Sequence, residues 1–112
     1  MPAVRIRVVY LLSAVVLAGC AFVPQKNLRL EEAREIHRRA QADPEVASNA
    51  SGELRTATQL MERAIAAWNT LDDPAVVDHL AYLARQRTAI SREAAVLTST
   101  CATRRSPPDW CR

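Results

Sequence analysis

Three cysteines are the residues of this 112-residue chain whose chemistry is most distinctive: Cys20, Cys101 and Cys111. A cysteine thiolate is a nucleophile and a metal ligand, and two thiols in an oxidising compartment form a disulfide. Cys20 lies close to the N-terminus, directly behind an apolar run, whereas the other two lie ten residues apart at the C-terminus. We therefore expect the first cysteine and the last two to have separate roles.

The segment before Cys20 has the composition of a secretory signal. Arg5 and Arg7 precede an apolar run of 11 residues, from Val8 to Ala18. A helix that spans a bilayer needs about 20 apolar residues, so this run is too short for a transmembrane helix. Its length is typical of the apolar region of a signal peptide. The sequence therefore predicts export from the cytoplasm.

The four residues that end this segment, Leu17, Ala18, Gly19 and Cys20, resemble the lipobox of bacterial lipoproteins. That pattern is a branched apolar residue, two small residues and a cysteine. The resemblance implies cleavage before Cys20, which becomes a lipidated and N-acylated first residue, so residues 1–19 are a lipoprotein signal peptide and residues 20–26 an anchor and tether. An ordinary signal peptide that contains a cysteine and an uncleaved anchor are the two alternatives.

The lipid chains would hold the protein on a membrane surface. Each buried methylene contributes about 0.8 kcal/mol, and two or three acyl chains exceed what stable anchoring needs. Ala21 follows the cysteine, and under the enterobacterial sorting rule alanine permits transfer to the outer membrane. We expect a cell-envelope protein that faces the periplasm, on the outer membrane in preference to the inner.

The two C-terminal cysteines leave two interpretations open. Cys101 and Cys111 either close a local disulfide loop, worth roughly 2–3 kcal/mol, or remain free thiols on a disordered tail. Two cysteines alone are not a metal site, and the only histidines, His37 and His79, lie on different predicted helices without ligand spacing. We therefore expect no metal and no cofactor apart from the covalent lipid on Cys20.

The sequence lacks the residue patterns of an enzyme. It has no nucleophile–base signature and no glycine-rich phosphate loop, since it contains 2 glycines, one of which lies in the lipobox. The sequence thus predicts no catalytic residues.

The composition favours a small helical domain. Apolar residues make up 49% of the chain and aromatic residues 4%, which argues against a β-sandwich or barrel. Removing residues 1–19 leaves 13 basic and 12 acidic residues, a net charge of +1. Because the mature chain is nearly neutral, we expect no binding to nucleic acid.

Capping residues and apolar periodicity predict three helices within residues 27–98. Asn27 starts the first, which ends near Ala42; the second covers residues 51–69; Asp73 starts the third, which ends near Thr98. Asp43 to Ser51 is a connection that could hold one helical turn. The fold class is therefore all-α, an antiparallel helical hairpin or three-helix bundle, and we expect residues 99–112 to be a disordered, irregular tail.

Apolar residues recur at alternating spacings of three and four along the second and third helices, which is a heptad seam. Arg87 interrupts the seam of the third helix, and we expect its head to reach water. The seam of the second helix is also a candidate face for self-association, because a domain this small has a modest core. The predicted core residues are Leu54, Met61, Trp68, Leu80, Leu83 and Ile90.

The helical region resembles the DUF4398 family, a helical domain of bacterial envelope lipoproteins. The resemblance rests on the segments ASGELRTATQLMERAIAAW and VDHLAYLARQRTAISREAA, including the pair Leu83-Ala84. It implies a helical fold and supplies no catalytic residues.

These observations predict a non-catalytic lipoprotein that displays a helical interaction or scaffold module in the periplasm, with another envelope protein as its partner. The alternative is a small periplasmic chaperone or inhibitor-like module that binds through a helical groove.

Overall fold

The structure is a computed structural model and describes residues 25–112. This part of the chain contains four α-helices and no strand, which confirms the all-α prediction. Irregular residues follow the last helix and lead into a single 3-10 turn, Asp109–Cys111. The helices are α1 (Leu28–Ala42), α2 (Pro44–Asn49), α3 (Ser51–Asn69) and α4 (Pro74–Thr103).

Three helices begin where short polar side chains cap them. The side chains of Asn27, Asp43 and Asp73 accept hydrogen bonds, 2.9–3.0 Å long, from backbone N–H groups two or three residues further on. These bonds satisfy donors that the first helical turn leaves unpaired. The predicted starts of α1 and α4 are therefore confirmed, and the connection predicted after α1 forms the six-residue helix α2.

The turn between α3 and α4 closes through a left-handed residue. Leu71 has a φ of 55°, and the N–H of Asp72 donates to the carbonyl of Ala67 at 3.0 Å. This bond pattern ends helices when the left-handed position is filled, usually by glycine. Leu71 is 89% exposed, and its Cβ makes the left-handed backbone conformation less favourable than it would be for glycine.

The helices form an up-down-up bundle in which α3 is antiparallel to both neighbours. At the start of α1, Asn27 donates to the carboxylate of Asp78 near the start of α4, over 2.9 Å. Five residues further along α1 and seven further along α4, Arg85 donates to Glu32 over 3.0 Å. These successive contacts show that α1 and α4 run parallel, so the chain enters the bundle beside the first turns of α4.

The centre of the bundle is made largely of small side chains. On α3 the buried positions are three alanines and Met61, and Leu30 of α1 packs among them. The hydroxyl of Thr88 donates to the carbonyl of Ala84, so this buried polar group is satisfied within its own helix. The buried residues of α4 are Val77, Ala81, Ala84, Thr88, Ser91 and Ala95.

The prediction of the α4 core was wrong at Ile90. Ile90 is 42% exposed, while Leu80 and Leu83 are half-buried at the edge of the bundle. The buried stripe is displaced by one residue from the predicted seam, because small side chains let the helix axes approach closely and larger ones then lie at the margins. Of the predicted α3 positions, Met61 is buried, and Leu54 and Trp68 are half-buried against the core.

The end predicted for the last helix was also wrong. α4 continues past Thr98 to Thr103, so the first five residues of the predicted disordered tail are helical. The hydroxyls of Thr98 and Thr100 each donate to the carbonyl four residues earlier, which is how threonine is accommodated within a helix. None of the helices in residues 25–112 combines the length and apolar content that crossing a bilayer requires.

Candidate functional site

The predicted lipidation site lies outside the described residues. Leu17, Ala18, Gly19 and Cys20 belong to residues 1–24, and the described chain begins with the last two residues of the predicted tether. The features that residues 25–112 offer for function are a disulfide, an exposed apolar row on α4, several ion pairs and one buried histidine.

The structure brings Cys101 and Cys111 together in a disulfide with an S–S distance of 2.05 Å and a Cα–Cα distance of 5.7 Å. Cys101 lies in the last turn of α4 and Cys111 in the 3-10 turn. The bond therefore ties the irregular segment back to the end of the helix. Trp110, next to Cys111, is 61% exposed and is not part of the core.

Apolar side chains are exposed along one side of α4. We call Leu83, Ile90 and Leu97 the α4 row; they follow one another at intervals of seven residues. Leu83 is half-buried, Ile90 is 42% exposed and Leu97 is 53% exposed. The two exposed members of the row, Ile90 and Leu97, are apolar side chains that a partner protein could cover.

An open depression of about 580 Å³ lies beside the C-terminal half of this row. Its lining combines apolar side chains with one acidic and one basic residue. Val96, 58% exposed, contributes to it. Within residues 25–112, its lining consists of Ala89, Arg92, Glu93, Val96 and Leu97.

The face predicted for self-association is not available. The α3 seam points into the bundle, where Ala57 and Ala64 are fully buried and Met61 is 4% exposed. The apolar side chains that are exposed lie on α4, at Ile90 and Leu97 of the α4 row. Arg87 lies on the same helix, is exposed as expected, and forms no salt bridge with any residue between 25 and 112.

Glu35 is the centre of an exposed ion-pair cluster on α1. Its carboxylate accepts from Arg38 at 2.9 Å and from Arg39, one helical turn further on, at 2.8 Å. Hydrogen bonds from these two guanidinium groups lower the pKa of Glu35 to about 2, and the same carboxylate raises the pKa of Arg38. The cluster is solvated, so its role is local helix stabilisation.

His37 is the only buried histidine among the described residues, with 5% of its surface exposed. Its Nε2 lies 3.0 Å from the hydroxyl oxygen of Thr58, whose own proton goes to the carbonyl of Leu54. Nε2 is therefore the donor. Burial lowers the pKa of His37, and the nearby carboxylate of Glu62 partly opposes that shift.

The remaining candidates for metal chemistry lie apart. His79 is exposed on α4, and no group of three histidine, cysteine or acidic residues suited to a metal ion occurs in the described part of the chain. The feature that sequence reasoning missed is the α4 row. Its seven-residue spacing was visible, but a heptad pattern alone does not say whether it faces the core of the same chain or another surface.

Comparison with known families gives one result. Residues 29–101, which cover α1 to α4 almost completely, match the family described as Domain of unknown function (DUF4398). The chain belongs to the DUF4398 family. The DUF4398 match ends at Cys101, so the irregular segment and the 3-10 turn lie beyond it. No curated protein and no solved structure matches the chain.

Proposed function

We propose that this DUF4398 chain is a non-catalytic bacterial envelope lipoprotein, anchored through acyl chains on Cys20, whose bundle is an interaction or scaffold module in the periplasm. The observation that carries the proposal is the four-residue lipobox, Leu17 to Cys20, directly behind an 11-residue apolar run. Thioether-linked acyl chains need a cysteine at this position, and no other residue type substitutes readily for it.

Two features of the described residues support the proposal. The disulfide between Cys101 and Cys111 suits an oxidising compartment such as the periplasm. The α4 row gives the module an exposed apolar strip, which suits binding to another protein. The position of Ala21 favours the outer membrane as the site of anchoring.

The test compares Cys20→Ala with Cys101→Ala in cells supplied with radiolabelled palmitate. We expect Cys20→Ala to lose the label and to leave the membrane fraction after a carbonate wash. Cys101→Ala, which also removes one cysteine, should keep the label and stay in the membrane fraction. A Cys20→Ala chain that still resists carbonate would show an uncleaved anchor, and an unlabelled wild-type chain would contradict the proposal.

A chaperone or inhibitor-like role is the second candidate, and the exposed side chains of Val96 and Leu97 favour it, because an apolar segment of a client can bind to an exposed apolar helix face. Purification from detergent-solubilised envelopes separates the two candidates. One membrane partner in fixed stoichiometry supports the scaffold role, whereas a broad set of unfolded clients supports the chaperone role.

A further inference from the structure

The turn between α3 and α4 carries an exposed leucine at a backbone position that favours glycine. Leu71 has a φ of 55° and is 89% exposed, so its side chain contributes little to the packing of the bundle. Glycine adopts this conformation at a lower cost, so stability alone would favour glycine here. Val76, in the first turn of α4, is 42% exposed as well. A contact outside the bundle would explain both apolar side chains.

This turn lies at the end of the bundle where the chain enters it. Asn27, one residue before α1, donates to Asp78, which lies five residues after Asp73, the N-cap of α4. Because α1 and α4 run parallel and a helix rises about 1.5 Å per residue, Leu71 projects about 10 Å beyond Asn27 along the bundle axis. The turn therefore lies further out than the point where the tether joins the bundle.

The tether is long enough to bring this turn to a bilayer. Cys20 lies seven residues before Asn27, and a chain of that length spans at most about 25 Å. With Leu71 at the bilayer surface, Asn27 would be about 10 Å above that surface, which is well within this reach. The tether thus keeps the turn close to the bilayer and raises the effective concentration of lipid at Leu71.

We infer that the turn between α3 and α4 inserts Leu71 into the interface of the bilayer that holds the lipid anchor. This inference rests on the proposed acyl chains at Cys20. The acyl chains hold the protein on the membrane, and the leucine determines which end of the bundle faces it. Insertion removes an exposed apolar side chain from water, which is favourable. The bundle then stands away from the membrane, with the end of α4 at Thr103 far from the lipid.

The charges at this end favour a neutral lipid surface as the site of contact. Lys26 and Arg29 are basic, whereas Asp72, Asp73 and Asp78 are acidic. Asp73 caps α4, and the carboxylate of Asp78 lies 3.5 Å from the guanidinium group of Arg29. A polybasic segment binds anionic lipids and is released by salt, but these five residues have no excess of positive charge. We therefore expect contact with zwitterionic phosphatidylcholine that does not weaken at high salt.

The test places a fluorescent label at position 71 of the full-length, lipidated chain on phosphatidylcholine vesicles. Leu71→Cys introduces the reactive thiol, because acylation would occupy Cys20 and the disulfide occupies Cys101 and Cys111. The matched control is Leu97→Cys, which makes the same change at a 53% exposed leucine near the far end of α4. Doxyl groups on the lipid acyl chains should quench a nitrobenzoxadiazole label at position 71 at least about threefold more than at position 97, at low and high salt alike.

Flotation of the same vesicles separates failure of this inference from failure of the proposed anchor. A chain that floats while its label at position 71 stays unquenched contradicts the inference alone, and equal quenching at positions 71 and 97 would also overturn it. A chain that does not float contradicts the anchor and, with it, the inference. A label at position 71 that is shielded from a water-soluble quencher in cell envelopes but not on vesicles would show a protein partner in place of lipid.

A second variant tests insertion of this end without weakening the fold. Val76→Asp places a carboxylate in the first turn of α4, where it favours the helix start but disfavours entry into an apolar phase. In the Leu71→Cys background it should lower the quenching at least about threefold. Val96→Asp makes the same change at a 58% exposed position of the same helix and should leave the quenching unchanged. Equal quenching in the two aspartate variants would contradict insertion of this end.

Discussion

The Nε2 atom of His37 lies 3.0 Å from the hydroxyl oxygen of Thr58 and joins α1 to α3 inside the bundle. His37 is 5% exposed, and the loss of hydration on burial disfavours the charged form of its imidazole. The contact therefore couples the packing of the two helices to the protonation of one side chain.

This burial predicts a pH-dependent stability. Because the pKa of His37 is lowered in the folded state, the unfolded chain binds the proton more readily as the pH falls below about 6.5. The stability that the neutral imidazole contributes is complete above that pH and is lost progressively as the pH falls toward the folded-state pKa. The melting temperature should therefore decrease between pH 7 and pH 5.

His37→Gln should flatten this decrease, whereas His79→Gln, which alters an exposed histidine on α4, should leave it unchanged. Thermal melts followed by circular dichroism at several pH values measure both effects. If the His37→Gln curve keeps the wild-type slope, another group controls the acid sensitivity.

The alanines between α3 and α4 are predicted to be intolerant of larger side chains. Ala84 is fully buried where the helices approach, so Ala84→Leu should destabilise the bundle by about 1–3 kcal/mol through overpacking. Ala89→Leu is the matched control, since it makes the same change at an exposed position of the same helix. A loss of about 1 kcal/mol lowers the melting temperature of a domain of this size by about 4–8 °C. Equal melting temperatures for the two variants would contradict the close packing.

Leu71 offers a stabilising substitution. Its φ of 55° lies in the left-handed region, where a residue with a Cβ is disfavoured by roughly 1 kcal/mol, and its side chain is 89% exposed. Leu71→Gly should relieve the strain and raise the melting temperature by a few degrees. Leu71→Ala removes most of the same apolar surface but keeps the Cβ, so it should not raise the melting temperature. If only Leu71→Ala raised the melting temperature, the exposed side chain of Leu71, and not its backbone conformation, would be the destabilising feature.

The disulfide should act locally. Cys101 lies in the last turn of α4, beyond the buried stripe that ends at Ala95, so the bond orders the tail and not the core. Replacing both cysteines with serine should change the melting temperature by less than about 4 °C, which is under 1 kcal/mol. Hydrogen exchange should show faster exchange of the amides from 100 to 103.

Trp110→Ala, which keeps the disulfide, is the control for this experiment and should retain slow exchange in the last turn. A fall in melting temperature well beyond the expected limit in the double serine variant would show that the tail is an integral part of the fold.

Local signals in the sequence were sufficient for the helix starts, because Asn27 and Asp73 cap their helices through contacts within three residues. The face that α4 buries was harder to predict. Ile90 is apolar and Ser91 is polar, yet the serine is buried and the isoleucine is exposed. The distance between packed helices depends on the size of the side chains at the contact, and small side chains let α4 approach its neighbours closely. Pairing of Cys101 with Cys111 could not be decided either, because spacing alone does not fix the distance between two thiols.

The parallel course of α1 and α4 fixes where the chain enters the bundle: Asn27 lies beside Asp78, twelve residues before Ile90. An anchor on Cys20, seven residues before Asn27, would therefore hold the first turns of α4 within about 25 Å of the bilayer surface. The disulfide at Cys101 lies about 35 Å along the helix axis from Asp78, at the opposite end of the bundle from the tether.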